Sequence, residues 1–366
     1  MRLLRALIIL LVLIAVILIG VLAGGSLLSL DWNHRHRAEV ATLPLLDADT
    51  HQGIVRIAAN GYEFRARVAG LDNTGPGVVL LHGFPETSLM WQPLIELLAD
   101  QGYRVIAFDQ RGYSPGARPD DVSAYAVPQL VGDVFAVAEA AGMRQFHLVG
   151  HDWGAAVGWA AVMSRPESLL SWTSLSIPHV SAFADALAND ADQRKRSQYM
   201  LFFRTPLLPE AVFTFNHLAM MNDALYRDMT DAQRAEYRAV FSEPGALTAA
   251  LNWYRAADGF NVAAAPKVTL PVLFIWGNQD PAVGRYAVES QRNFIAGSFE
   301  YHELNAGHWL MEEATDKVDS TVLLFLRAVD QQIATSAQPQ PAAVQGEPMP
   351  VQPETPAAQP PTPESP

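Results

Sequence analysis

The 366-residue chain contains no cysteine. This absence excludes disulfide bonds, thiolate nucleophiles and cysteine-bound zinc. Basic side chains are outnumbered, with 25 Lys and Arg against 38 Asp and Glu, so the formal net charge is −13. Nucleic acid is therefore not expected as a partner, because binding to phosphates requires clustered basic residues. We expect no metal and no organic cofactor, since no group of His, Asp and Glu has the spacing of metal ligands.

Apolar residues make up half of the chain and charged residues 17%, which is enough apolar material for a sizeable core. The segment from Ala6 to Gly25 is a continuous apolar run that follows Arg2 and Arg5. At about 1.5 Å per residue it would be roughly 30 Å long, the thickness of a hydrocarbon core. We interpret residues 1–28 as a transmembrane anchor or a cleaved signal, and favour the anchor because signals usually have a shorter apolar part.

The basic residues before this run favour a cytoplasmic amino terminus, which would place the rest of the chain outside the cytoplasm. A cleaved signal would instead make the protein secreted or periplasmic. At the other end, residues 336–366 are rich in Pro, Gln and Ala, so they predict a disordered tail that cannot form a core. A docking peptide for a proline-reading module is an alternative to an inert tail. The sequence predicts no oligomeric state.

Short apolar runs alternate with helical patterns in residues 50–179 and again in residues 266–333. This alternation predicts an α/β core with a mainly parallel sheet, whose ligands gather at the carboxyl ends of the strands. The strands are predicted at 77–81, 103–108, 146–149, 170–175, 272–276 and 299–303. Residues 180–265 are rich in aromatic residues and Met but lack a clear strand, so we expect an all-helical lid over those strand ends.

The segment from Gly150 to Gly154 has the spacing of a nucleophile elbow, a sharp strand-to-helix turn that presents its middle side chain above the sheet. The middle residue here is Asp152. A carboxylate that attacks a saturated carbon forms an ester, which water can then cleave at its carbonyl group. The alternative interpretation is that Asp152 only caps the following helix.

Five segments together resemble the α/β-hydrolases of the epoxide hydrolase and haloalkane dehalogenase branch. In chain order they are His82 to Pro85, Asp109 to Ser114, Gly150 to Gly154, Gly277 to Asp280 and Gly307 to Trp309. The resemblance covers about residues 51–328 and preserves the order nucleophile, acid, histidine. It implies the α/β-hydrolase fold, a mainly parallel sheet flanked by helices with a helical lid.

By this resemblance Asp152 is the nucleophile, His308 is the general base that activates water, and Asp280 orients the imidazole. The backbone N–H groups of Phe84 and Trp153 would form the oxyanion hole. Asp280 could instead merely start a turn, and His308 could be an ordinary loop residue.

The resemblance also implies a supporting loop formed by His82, Gly83 and Pro85, usually with a cis peptide bond before the proline. Two lid tyrosines, Tyr199 and Tyr254, match the positions that protonate the oxygen of an epoxide. Each could instead be an aromatic packing residue.

A halide leaving group would need N–H donors instead of phenols. Trp153 could supply one such donor, but Phe84 stands where dehalogenases have the second. One departure from the family is Arg204, where many relatives have glutamine. We therefore expect a lipophilic epoxide as the small-molecule partner and a vicinal diol as the product. The alternatives are a haloalkane dehalogenase and a non-hydrolytic small-molecule binder.

Overall fold

The structure is a computed structural model, and it describes residues 10–21, 24, 34–227, 229–257 and 267–337. The chain divides into two compact units, residues 1–329 and residues 330–366. The first unit holds the sheet, the helices packed on it and the candidate site. In the second unit, the described residues 330–337 are helical.

Eight strands form a single sheet within the described residues. Their bounds are β1 Gly53–Ala59, β2 Tyr62–Ala69, β3 Gly77–Leu81, β4 Arg104–Phe108, β5 Phe146–His151, β6 Leu169–Leu175, β7 Val272–Gly277 and β8 Phe299–Leu304. Their order across the sheet is β1-β2-β4-β3-β5-β6-β7-β8. Strand β2 is antiparallel to both of its neighbours, and the remaining pairs are parallel. The predicted α/β fold class with a mainly parallel sheet is confirmed.

The six predicted strands match β3 to β8 within two residues at each end. The apolar pattern is clearest in β3 and β7, which carry no polar side chain. Every residue of β3, β5 and β7 is buried, as expected for strands covered on both faces. The hairpin of β1 and β2 was not predicted. Its two-residue connection, Asn60 and Gly61, has positive φ at both positions, which is the conformation that an Asn-Gly pair favours in tight hairpins.

Besides the helical residues 10–21, thirteen α-helices accompany the sheet in the described residues. They follow the helical residues 10–21, which we call α1, and are α2 Arg35–Thr42, α3 Gln92–Asp100, α4 Val127–Ala140, α5 Trp153–Ser164, α6 Val180–Asn189, α7 Ala191–Arg196, α8 Tyr199–Arg204, α9 Leu208–Leu225, α10 Asp231–Phe241, α11 Ala246–Ala256, α12 Arg285–Ser290, α13 Leu310–Glu313 and α14 Thr315–Ala337. Short 3-10 turns occupy Ser88–Trp91, Val122–Tyr125, Pro166–Ser168 and Gln291–Phe294.

The core lies on both faces of the sheet, because successive strand residues point to opposite sides. In β3, Val79 and Leu81 belong to the apolar cluster that includes residues of α4 and α5. Val78 and Leu80 belong to the cluster that includes residues of α3 and α14. The sheet is therefore held rigidly, and its strand ends provide a fixed base for the loops that follow them.

Between β6 and β7, the regular elements described are all helices, α6 to α11. The first begins at Val180 and the last ends at Ala256, while residues 258–266 lie outside the described part of the chain. This agrees with the expected helical insertion, although the proposed boundaries at 180 and 265 stay a prediction. The predicted tail, 336–366, also lies outside the described residues, except for its first two, which are helical.

The prediction of a membrane anchor in residues 1–28 is wrong. In the part of the chain that the structure describes, we find no helix whose length and apolar character would let it span a bilayer. The predicted localisation, with an anchored and extracytoplasmic catalytic domain, is wrong for the same reason. Of residues 1–28, the structure describes only residues 10–21 and residue 24.

Candidate active site

The turn between β5 and α5 gives Asp152 an unusual backbone conformation, with φ of 50° and ψ of −122°. A positive φ is strained for any residue other than glycine and persists only where the surroundings enforce it. A Cβ atom at Gly150 would lie 2.7 Å from the Gly154 carbonyl oxygen, and one at Gly154 would lie 2.2 Å from the Leu81 carbonyl oxygen. The turn therefore requires glycine on both sides of the acid.

The side chain of Asp152 does not cap α5, although the residue holds the N-cap position. Its Oδ1 atom accepts a hydrogen bond of 2.8 Å from the backbone N–H of Phe84. Its Oδ2 atom lies 3.4 Å from Nε2 of His308. These contacts turn the carboxylate away from the helix end, which argues against a purely capping role.

His308 follows β8 and Asp280 follows β7, so both lie at the carboxyl edge of the sheet beside the elbow. The Nδ1 atom of His308 is 2.7 Å from Oδ2 of Asp280. The other oxygen of Asp280 accepts hydrogen bonds from the backbone N–H groups of Ala282 and Val283, at 2.7 and 3.0 Å. The acid is thus fixed in place and in turn fixes the orientation of the imidazole.

Electrostatics makes Asp152 an anion and His308 a cation. Burial opposes ionisation of Asp152, but the hydrogen bond and charge of His308 outweigh it and lower the pKa of the carboxyl below its ordinary value. Burial likewise opposes charge on His308, but the carboxylates of Asp280 and Asp152 raise the pKa of the imidazole well above 6.5. The pair is an ionised acid beside an imidazolium.

The loop after β3 contains His82, Gly83 and Pro85 and passes beside Asp152; the supporting role of these three residues stays a prediction. The Nε2 atom of His82 accepts a 3.0 Å hydrogen bond from the backbone N–H of Gln110, which joins this loop to the one after β4. A Cβ atom at Gly83 would lie 2.3 Å from Cβ of Asp152, so glycine is needed. The expected cis bond before Pro85 is confirmed. Trp153, the second predicted donor, is the first residue of α5.

Both predicted lid tyrosines face the nucleophile. Tyr199 lies on α8 and Tyr254 on α11, and their ring centroids are 6.4 Å apart. Burial, reinforced by the charge of Asp152, raises the pKa of both phenols above the ordinary value, so each keeps its proton at neutral pH. Two other lid tyrosines point elsewhere: Tyr226 donates to the Pro85 carbonyl at 2.9 Å, and the buried Tyr237 hydroxyl has no partner among the described residues.

A cavity of about 240 Å³ lies between the lid and the sheet edge. Most of its walls are apolar; the residues that line it are Phe84, Pro85, Asp152, Tyr199, Phe203, Leu225, Tyr254, Pro281, Ala282, His308 and Trp309. A second cavity of about 40 Å³ is bordered by Trp153, Ala156, Ile177, Val180, Phe183, Met200 and three residues of the first. Those three are Asp152, Tyr199 and Tyr254, so the acid and the phenols border both spaces.

A buried group behind the histidine was missed from the sequence. The Nε2 atom of His151 is 2.9 Å from the carbonyl oxygen of His308, and its Nδ1 atom is 3.2 Å from Oε2 of Glu86. Burial, then the charge of Asp152, raises the pKa of Glu86 to about 8, and burial beside Glu86 raises that of Glu312 well above 4.5. The sequence offered one sign of this group. Glu86, His151 and Glu312 lie within or close to the motifs that resemble the family.

Comparison with known proteins agrees with this geometry. A sequence model of the alpha/beta hydrolase fold matches residues 76–315. An epoxide hydrolase of Caballeronia sordidicola is 31% identical over 311 residues, covering 75% of this chain and 93% of the relative. Epoxide hydrolase 4 of Mus musculus is 30% identical over 329 residues, covering 84% and 91%. The crystal structure of epoxide hydrolase A from Mycobacterium thermoresistibile has a TM-score of 0.63 and 28% identity, covering 75% and 98%.

The fold, the elbow and these matches define the class: the chain belongs to the α/β-hydrolase fold family, in the branch of the epoxide hydrolases. The resemblance predicted from the motifs is thus confirmed. The relatives are named as epoxide hydrolases, which are hydrolases acting on ether bonds, and the predicted enzyme class is confirmed with them.

Proposed function

We propose that the protein converts an apolar epoxide and water into a vicinal diol through an ester on Asp152. The observation that carries this proposal is the meeting of four groups in one cavity. Asp152, His308, Tyr199 and Tyr254 all line it. The apolar walls around them favour a lipophilic substrate.

In the first half-reaction, Oδ2 of Asp152 attacks a ring carbon and the carbon–oxygen bond of the epoxide breaks. The epoxide oxygen takes a proton from Tyr199 or Tyr254, whose raised pKa values keep them protonated until that oxygen becomes strongly basic. The resulting phenolate regains a proton from the imidazolium of His308, which lines the same cavity. This step leaves an ester and a neutral imidazole.

In the second half-reaction, the neutral imidazole of His308 takes a proton from water, and the hydroxide attacks the ester carbonyl. The oxygen held by Phe84 N–H becomes the oxyanion, which that donor stabilises together with Trp153 N–H. Collapse expels the diol oxygen, which takes the proton of the new acid. Asp152 returns as a carboxylate beside an imidazolium, so atoms and protons balance.

The two cavity phenols favour an epoxide over a halide. An epoxide oxygen needs an acid, which a phenol can supply, whereas a halide needs N–H donors. The indole ring of Trp153 packs edge-on against the ring of Tyr254, with the centroids 5.0 Å apart.

The test is diol formation on a panel of lipophilic epoxides by the native protein, Asp152→Asn and Tyr254→Phe. We expect Asp152→Asn to lose about 10⁴-fold or more in kcat and Tyr254→Phe about 10²-fold. Tyr237→Phe is the matched control, because that buried lid phenol lies outside both cavity linings; its activity should stay within about twofold.

Full diol formation by Asp152→Asn would refute the covalent mechanism. Halide release from chloroalkanes without diol formation from epoxides would favour the dehalogenase alternative. Ligand binding without turnover in the native protein would favour a non-hydrolytic binder.

A further inference from the structure

The two helices that carry the cavity tyrosines are joined at their carboxyl ends by arginines that reach in opposite directions. Tyr199 begins α8, and Arg204 ends it. Tyr254 lies in the last turn of α11, next to Arg255. The last carbonyl groups of a helix have no partner inside the helix and attract cations.

Arg204 reaches from α8 to the end of α11. Its Nε atom donates to the carbonyl of Tyr254 at 3.0 Å, and its Nη2 atom donates to the carbonyl of Ala257 at 2.9 Å. The first acceptor belongs to the residue whose phenol faces Asp152. The rigid, planar guanidinium thus holds two carbonyl oxygens on either side of one helix end.

Arg255 reaches back from α11 to the segment after α8. Its Nη2 atom donates to the carbonyl of Thr205 at 3.1 Å, the residue that caps α8. The same guanidinium forms an ion pair with Glu210 of α9 at 2.8 Å, and both side chains are largely buried. Each helix end is therefore satisfied by the other helix.

We propose that Arg204, with Arg255 as its reciprocal partner, is a positioning residue that sets the separation of the Tyr199 and Tyr254 hydroxyls. This inference rests on the proposed epoxide hydrolysis. Phe203 packs against both rings, with its centroid 5.3 Å from that of Tyr199 and 4.9 Å from that of Tyr254. Packing fixes the rings from inside the lid, and the arginines fix the backbones from outside it.

The consequence is specific to one half-reaction. The phenols act on the epoxide oxygen during ring opening, whereas hydrolysis of the ester uses His308 and the oxyanion hole. Misplacement of a reacting group by about 1 Å can cost a hundredfold in rate. Loss of the Arg204 hydrogen bonds should therefore slow formation of the ester and leave its hydrolysis nearly unchanged.

The experiment is a rapid-mixing measurement of ester formation and ester decay on one epoxide, using Arg204→Gln in the full chain. We expect ester formation to slow about tenfold and ester decay to stay within about twofold. Arg204→Lys should recover part of the rate, because an ammonium can reach one carbonyl. Arg194→Gln is the matched control: that exposed arginine donates to the Ala188 carbonyl at 2.9 Å, at the end of a helix without a cavity tyrosine, and both rates should be native.

A double-mutant comparison tests whether the effect passes through Tyr254. In a Tyr254→Phe background, Arg204→Gln should cost less than about twofold, since the group it positions is already gone. Equal slowing of both half-reactions, or the same tenfold loss in the Tyr254→Phe background, would overturn the proposal. If Asp152→Asn is inactive and Arg204→Gln has native kinetics, the positioning role of Arg204 is refuted but the proposed function is not. If Asp152→Asn is active, the proposed function itself is refuted.

Discussion

His308 lies between two carboxylates, and the proposed esterification of Asp152 would remove the charge of one of them. In the free site, Asp280 and Asp152 both raise the pKa of the imidazole. In the proposed ester, the charge of Asp152 would be gone, so the pKa of His308 would fall and the ring would become available as a base. In this mechanism the same contact would favour an ionised Asp152 before ring opening and a neutral imidazole after it.

A His308→Gln variant should stop after the first half-reaction. We expect the intact mass of the protein to rise by the mass of one epoxide, with the added mass on the peptide that contains Asp152. Diol formation should fall about 10³-fold or more, because water then lacks its base. His302→Gln, an exposed histidine on β8 paired with Glu300, is the control and should accumulate no adduct. Absence of any adduct in His308→Gln during substrate excess would contradict the covalent route.

Glu86 predicts a pH dependence of stability. Its pKa is raised from 4.5 to about 8 in the folded state, chiefly by burial. The folded protein thus holds a proton that the unfolded chain releases above pH 4.5, so the stabilisation is complete below pH 4.5 and is lost as the pH rises toward 8. We expect the free energy of unfolding to fall over this window by a few kcal/mol, at about 1.4 kcal/mol per pKa unit.

This pH dependence can be checked by measuring the free energy of unfolding in urea between pH 5 and 8, for the native protein and for Glu86→Gln. The neutral amide should flatten the decline, so the two curves approach each other at low pH and diverge at high pH. Glu96→Gln on α3, which changes an exposed glutamate, should follow the native curve. Parallel curves for the native protein and Glu86→Gln would show that the carboxyl is ionised in the folded state.

At the scale of elements, one carboxylate of the lid pairs with two arginines of the sheet. Glu236 of α10 lies 3.0 Å from Nη2 of Arg65 and 2.5 Å from Nη2 of Arg67, both on β2. The two arginines are almost fully buried. Removing one partner of a buried ionic group leaves charges without compensation, which typically costs about 3–5 kcal/mol.

Glu236→Gln should therefore lower the free energy of unfolding by about 3–5 kcal/mol. The control on the same helix is Asp231→Asn, whose partner Arg234 lies 2.6 Å away on the surface, and its cost should stay below about 1 kcal/mol. Denaturant unfolding of the three proteins measures both. Equal stability of the native protein and Glu236→Gln would mean that this ionic group makes no net contribution to stability.

Elements with strong local signals were predictable, and those that depend on distant partners were not. Strand β7 is a run of buried apolar residues that ends at Gly277, so its pattern alone defined it. The kink within α9, where Phe215 to Leu218 leave the helical conformation, has no such signal. It lies among tertiary contacts of the lid, which a local pattern does not encode.

For the whole molecule, the sequence predicted which groups meet but not the shape of the space between them. The elbow spacing and strand-end positions of Asp152, Asp280 and His308 follow from the chain order. The division of the cavity depends on how α6 and α8 pack over the sheet, through side chains such as Phe183 and Met200. The shape of the cavity is therefore set only when the lid packs on the sheet.

The unequal cavities predict a preference for epoxides with one large and one small substituent. The smaller space has about 40 Å³ and the larger about 240 Å³. An epoxide carbon placed against Asp152 can extend a long apolar chain into the larger space. A substituent that extends into the smaller space has far less room, which favours terminal epoxides over those that carry bulky groups on both carbons.

Met200→Ala should relax this preference, because Met200 borders only the smaller cavity and alanine leaves room for several more atoms. We expect the ratio of kcat/KM for a trans-disubstituted epoxide to that for a terminal epoxide to rise about tenfold, as a few methylene groups of extra space allow. Leu225→Ala is the matched control, since Leu225 borders only the larger cavity, and the ratio should remain native. A ratio that rises equally in both variants would mean that lid mobility, not the size of the smaller cavity, limits the substrate range.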